Sequence, residues 1–233
     1  MKCLKLCSAG FAATVVVSLA CCVSAPRAWA ADHFIYEFRE VFGGAPPQST
    51  PPWVLSEFST AGAGEVELTI SALNLFGGEN LRMLYLNLNP DHNPKHLDFA
   101  VLGGTGMFAT PTFQAGKNAF KAGGDGYYDV LITFPTDLDD QSRFTAGDSI
   151  TIGVTGIPSL TASDFSFLSK PAGGYGPFYA AAHIQRIGEN SDSGWIYPAD
   201  GPHVVPVPEP ASGVLMGAAV LLLLARRFWN ARC

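Results

Sequence analysis

At 233 residues the chain is long enough for one well-buried core, and its 15% of charged residues falls below the roughly 25% of an ordinary globular protein, which favours an exported protein over a cytosolic enzyme. Residues 31–205 carry eight of the 14 Lys and Arg but 19 of the 20 Asp and Glu, so this body repels phosphate backbones and argues against nucleic-acid binding. All five cysteines (Cys3, Cys7, Cys21, Cys22 and Cys233) lie in the terminal segments, which removes disulfides, thiol catalysis and cysteine-ligated zinc from the body.

In chain order the first element is a signal peptide over residues 1–30. Lys2 and Lys5 precede an apolar stretch from Ala9 to Val23, and Ala28-Trp29-Ala30 is a small-x-small cleavage pattern, with Ala28 and Ala30 as the signal-peptidase site. The expected mature chain starts at Ala31. An N-terminal anchor that is never cut is the alternative. The residues before Cys21 and Cys22 fit a lipobox poorly.

Residues 31–205 read as all-β, a β-sandwich or jelly roll of about eight to ten strands. Runs such as FIYEFREVF, EVELTISALNL, LRMLYLNLN, YYDVLITF and FYAAAHIQRI alternate with turn compositions such as FGGEN, NPDHNP and KAGGDG. In EVELTISA, Val66, Leu68, Ile70 and Ala72 alternate with Glu65, Glu67, Thr69 and Ser71, the period of a strand with one wet face. No helical period of comparable length interrupts the body, and no repeat of fixed length supports a propeller or solenoid.

Candidate chemistry along this body is sparse. Glu37, Glu57 and Glu67 are the strand glutamates a polysaccharide hydrolase would need as a facing pair. Asp91, His92 and His96 lie in a proline-bounded loop that reads as solvated rather than metal-binding. Gly103-Gly104-Thr105-Gly106 lacks the GK[ST] of a phosphate loop, and Asp125 reads as a turn residue between glycines. The acidic loop Asp137, Asp139 and Asp140, with Asp148 after it, is a calcium candidate without EF-hand spacing and reads more simply as a solvated turn; no metal or other cofactor is expected. His183 reads as a hydrogen-bonded structural histidine. Phe178, Tyr179, Trp195 and Tyr197 are either core fillers or, if exposed and coplanar, a sugar-stacking platform. SDSGW lacks the Gly-x-Ser-x-Gly elbow.

The last element, residues 206–233, is a short transmembrane helix with a proline-rich approach. Ala211 to Ala225 is free of charge, 15 residues and about 22 Å of helix at 1.5 Å per residue, short of the roughly 20 residues of an ordinary span. Arg226, Arg227 and Arg232 belong on the cytoplasmic side, leaving the body outside. Pro206, Pro208 and Pro210 hold the residues around Glu209 extended.

The order Val207-Pro208-Glu209-Pro210, apolar run, Arg226-Arg227 closely resembles the PEP-CTERM sorting signal of bacterial exosortase substrates. That resemblance covers about residues 206 to 232. It implies recognition of Pro208, Glu209 and Pro210 by an inner-membrane exosortase, with Arg226 and Arg227 as membrane retention charges, after export through signal peptidase and the general secretion machinery of a Gram-negative bacterium. The implied product is a transiently anchored protein released to the cell surface or extracellular matrix, among extracellular polysaccharide and biofilm. The leading expectation is a non-enzymatic surface protein. A carbohydrate-binding, lectin-like and calcium-assisted module acting on that polysaccharide is the alternative, and a hydrolase of it is the third.

Overall fold

Valine, leucine and isoleucine at every second position of a strand need a second apolar layer to cover them. In Glu65–Ala72 the residues Val66, Leu68, Ile70 and Ala72 are at most 1% exposed. The computed structural model describes residues 32–136 and 142–204 and places that layer in a second sheet. Its twelve strands are β1 (His33–Phe38), β2 (Glu40–Gly44), β3 (Val54–Gly62), β4 (Glu65–Ala72), β5 (Asn80–Leu86), β6 (Asp98–Thr105), β7 (Thr112–Ala122), β8 (Asp125–Thr133), β9 (Ser149–Thr155), β10 (Ala180–Ile187), β11 (Asp192–Tyr197) and β12 (His203–Val204). One antiparallel sheet has the order β12-β1-β3-β4-β9-β6 and the other β2-β11-β10-β5-β8-β7.

The inner faces share one core. Phe34, Tyr36, Phe58, Leu68, Ile70 and Ile152 of the first sheet lie in the same apolar cluster as Leu84, Leu86, Val130, Ile132, Ile184 and Ile196 of the second. Phe58 stacks between Phe34 and Phe165 at 4.9 and 5.2 Å. The Tyr36 hydroxyl donates to the carbonyl of Phe165 at 3.0 Å, and burial raises its pKa above the ordinary phenol value. Burying each such side chain stabilises the fold by about 1.5–3 kcal/mol, and in a body without cysteine this packing carries the stability. Phe99 and Phe113, stacked at 5.2 Å, close the seam between β6 and β7.

Three differences from the sequence reading have local causes. FIYEFREVF is two strands, because the chain leaves the first sheet at Phe38, bends at Arg39 and joins the second at Glu40. Thr112–Ala122 is an edge strand whose bulges at Ala115–Phe120 and Phe120–Ala122 erase the period of two. KAGGDG is not all loop: only Gly123 and Gly124 separate β7 from β8.

The second sheet is apolar on its outer face as well. Pairing of β5 with β8 ends at Leu86↔Val130, and beyond it the β7–β8 hairpin bends over the outside of the sheet. There Ala122 and Tyr128 join Phe42, Tyr85, Ala181 and Phe178 in a second cluster. Gly123, with φ of +58°, lies so close to the Trp195 indole that a Cβ would stand 3.1 Å from the ring. This double burial leaves Leu84, Tyr85 and Leu86 of β5 and Ala180, Ala181 and Ala182 of β10 buried in succession rather than alternately.

The expected signal-peptide site (Ala28, Ala30), the sorting motif (Pro208, Glu209, Pro210), the retention charges (Arg226, Arg227) and the loop aspartates Asp137, Asp139 and Asp140 lie outside the described residues. Among the described residues no helix is long and apolar enough to cross a membrane.

Candidate functional site

Among the described residues five carboxylates are buried, and each is occupied by the protein's own backbone. Glu79 accepts from the N–H groups of Gln48 and Phe76 at 2.8 and 2.9 Å, tying the proline-rich loop before β3 to the turn before β5. Asp148 accepts from the N–H and hydroxyl of Thr145. Asp164 accepts from the N–H and hydroxyl of Thr161 with one oxygen and from Asn89 Nδ2 with the other, at 2.9 Å in each case except the hydroxyl, at 3.0 Å. His92 Nε2 lies 3.2 Å from that second oxygen. Asp129 accepts from Leu88 N–H at 3.0 Å and Asn118 N–H at 2.7 Å.

Asp125 is the most committed of the five. At 1% exposed it is the first residue of β8, and it accepts from the N–H groups of Gly174, Tyr175 and Gly176 at 2.8, 3.2 and 2.7 Å. The turn role expected of it is thus replaced by a buried clamp that holds the loop covering the second sheet. A carboxylate accepting several backbone N–H groups serves as a fastener between loops where a small exported domain elsewhere uses disulfides.

The other candidates disperse. His92 is not solvated but paired with Asp164, whereas His96 is exposed and 3.3 Å from Asn93 Nδ2, so the two histidines have separate partners. Glu37 and Glu57 lie on the outer face of the first sheet, each 2.6 Å from a nitrogen of a neighbouring side chain, Arg39 and His33 respectively. Glu67 shares that face on β4, so the three do not oppose one another across a cleft. Gly103 and Gly104 are strand residues of β6, and Ser193 and Trp195 belong to β11. Among the described residues no three His, Cys, Asp or Glu side chains group to hold a metal ion.

The aromatic residues near the end of the body divide between two clusters. Tyr179 packs against the inner core, 5.9 Å from Tyr36, while Phe178, Trp195 and Tyr197 belong to the outer cluster around Phe42. Phe178 is buried and tilted 35° against Tyr197, so these rings form a packed layer and not an open platform. His183 stacks on Trp195 at 4.3 Å and 16°, and its Nδ1 has no hydrogen-bond partner. Stacking therefore holds this histidine, in place of the expected hydrogen bond. Burial, with the Arg82 charge, pushes its pKa down to about 4.

What the sequence reading missed is a pocket at the bend of the β7–β8 hairpin. Its volume is about 220 Å³, and it is lined by Lys117 and Asn118 from β7, Tyr127 and Asp129 from β8, Pro90 after β5, and Lys170. Asp129 builds it: one oxygen fixes the β5 exit at Leu88, and the other fixes Asn118, whose φ of +51° marks the bend. The mutual backbone hydrogen bonds of Tyr127 and Lys170, at 2.9 and 3.2 Å, join the covering loop to β8. Lys117 Nζ donates to the Pro90 carbonyl at 2.9 Å, and Lys121 and Lys170 place their ammonium groups 4.5 and 5.8 Å from the centre of the Tyr127 ring. The available signal was scarcity: residues 31–205 contain only four lysines, and two of them stand four residues apart on the strand before the hairpin turn.

No protein-family model, no curated protein and no solved structure matches this chain significantly.

Proposed function

We propose that the chain is an exported, non-enzymatic surface or matrix protein sorted by an exosortase, its body winding between the two sheets in a jelly-roll-like manner. The observation that carries the proposal is the succession of sequence motifs in the tail: Pro208-Glu209-Pro210, a 15-residue uncharged run and Arg226-Arg227, on a chain that also carries a signal-peptide pattern over residues 1–30. Two features of the body are compatible with it. The first and last described strands pair, with Phe34 opposite Val204, so the segments on either side leave from neighbouring points of one sheet edge. The buried carboxylates are also spent on backbone N–H groups, which supports the non-enzymatic reading. Among twelve described strands the chain changes sheet at eight of eleven connections, the basis for the jelly-roll-like description.

Expression in cells with and without an exosortase, followed by intact-mass measurement, tests the proposal. The expected product has lost its C-terminal segment only in the presence of the enzyme, and Glu209→Ala abolishes the loss. An unchanged C-terminal mass in both strains overturns it.

A further inference from the structure

We propose that the pocket at the bend of the β7–β8 hairpin binds an acidic saccharide, its carboxylate or sulfate groups held by Lys117, Lys121 and Lys170. Charge placement is the first ground. The body is strongly acidic, yet two of its four lysines, Lys121 and Lys170, lie over the Tyr127 ring, a third, Lys117, lines the same pocket, and the fourth, Lys95, sits on a short 3-10 helix (Pro94–His96) packed beside β7. Among the described residues no carboxylate oxygen lies within 4.0 Å of any of these four ammonium groups. Asp129 is the pocket's one carboxylate, and both its oxygens already accept backbone N–H groups. Like charges gathered without a counter-charge are unfavourable until an anion arrives.

Shape is the second ground. Lys117 and Lys170 line a concave site of about 220 Å³, with Lys121 over its Tyr127 ring; the site is smaller than the roughly 300–1,000 Å³ that encloses a drug-sized ligand, so it fits a charged sugar unit of a longer chain. Lys117 is already oriented by Pro90, and the Tyr127 ring holds Lys121 and Lys170 beside it. Asn118 borders the same space with an amide of the kind that sugar hydroxyls require. A nucleic acid, with a phosphate every few ångströms, needs a cationic track, and here the cations stop at one corner of an acidic body. A flat membrane surface makes no use of the concavity.

The inference goes beyond sorting and does not depend on it: processing is read from the C-terminal mass, and this site from binding. The full chain in detergent is titrated calorimetrically with an alginate hexasaccharide, a heparin hexasaccharide, maltohexaose, a thymidine hexanucleotide and phosphatidylglycerol vesicles. The expected result is binding of one or both acidic saccharides, weakening about tenfold or more between roughly 50 and 500 mM salt, with none to maltohexaose. K117Q/K170Q loses at least about tenfold in affinity. K117R/K170R keeps most of it, and R39Q, which takes one charge from the other sheet's outer face, changes nothing. All three variants alter exposed side chains, and their melting temperatures check the fold; K121Q, with a smaller loss, stands in should the double variant unfold. Absence of binding, equal binding of maltohexaose, tighter binding of the hexanucleotide or vesicles, or undiminished affinity in K117Q/K170Q overturns the proposal.

Discussion

Replacing Asp125 by alanine removes the acceptor for three backbone N–H groups at 2.7 to 3.2 Å, from a side chain whose residue is 1% exposed. Hydrogen bonds to a charged acceptor contribute about 1.5–3 kcal/mol each, and water entering the part-buried loop recovers some of the loss, so the expected cost is about 3–4 kcal/mol. Against a total stability of about 5–15 kcal/mol this is a large fraction. Asp125→Asn keeps one acceptor oxygen and turns an amide donor toward another donor, and about half that cost is expected. Urea unfolding followed by tryptophan fluorescence measures both, since Trp195 lies against Gly123, two residues away. Hydrogen exchange then locates the effect, with the amides of Gly174 and Gly176 losing protection first. A cost below about 1 kcal/mol for Asp125→Ala, or unchanged exchange at those two amides, refutes the view that this carboxylate fastens the covering loop.

His183 has a native pKa lowered to about 4 from the ordinary 6.5, so the unfolded chain binds more protons between those values; its contribution to stability is full above about pH 6.5 and is lost as pH falls toward 4. His183→Gln flattens that part of the stability profile, and an NMR titration of the ring placing its pKa above 6 contradicts the expectation. Tyr36→Phe leaves the buried Phe165 carbonyl without its donor and costs about 1–2 kcal/mol in urea unfolding. Gly156→Ala places a Cβ 1.9 Å from the His96 carbonyl at a φ of +96°, and thermal unfolding registers a loss of more than about 2 kcal/mol. A double-mutant cycle of His92→Ala and Asp164→Ala yields a coupling near 1 kcal/mol, where a solvated loop gives none.

The all-β reading and the inward set of β4 were legible because a half-buried strand writes its faces into alternate residues. The corner at Arg39 was not, since Phe38 and Val41 are both apolar and nothing local says that they serve opposite sheets. Nor was the outer aromatic layer, because Tyr85 and Trp195 look the same in sequence whether they face a core or solvent. The roles of Asp125 and Asp129 escaped for a related reason: their partners are N–H groups 11 to 51 residues away or across loops, and an N–H carries no residue identity.

By itself the sequence determined the strand-rich body, its lack of cysteine and its acidity, and it carries the tail on which the sorting proposal rests, since all of these are written in neighbouring residues. Only the tertiary structure decided which acids are consumed as loop fasteners and where the few lysines meet. Lys117 and Lys121 stand on one strand while Lys170 arrives on a covering loop, and beside a bend pinned by Asp129 they meet at one pocket, Lys121 and Lys170 over its Tyr127 ring. Electrostatic interaction depends on separation in space, which the order of residues along a chain does not express.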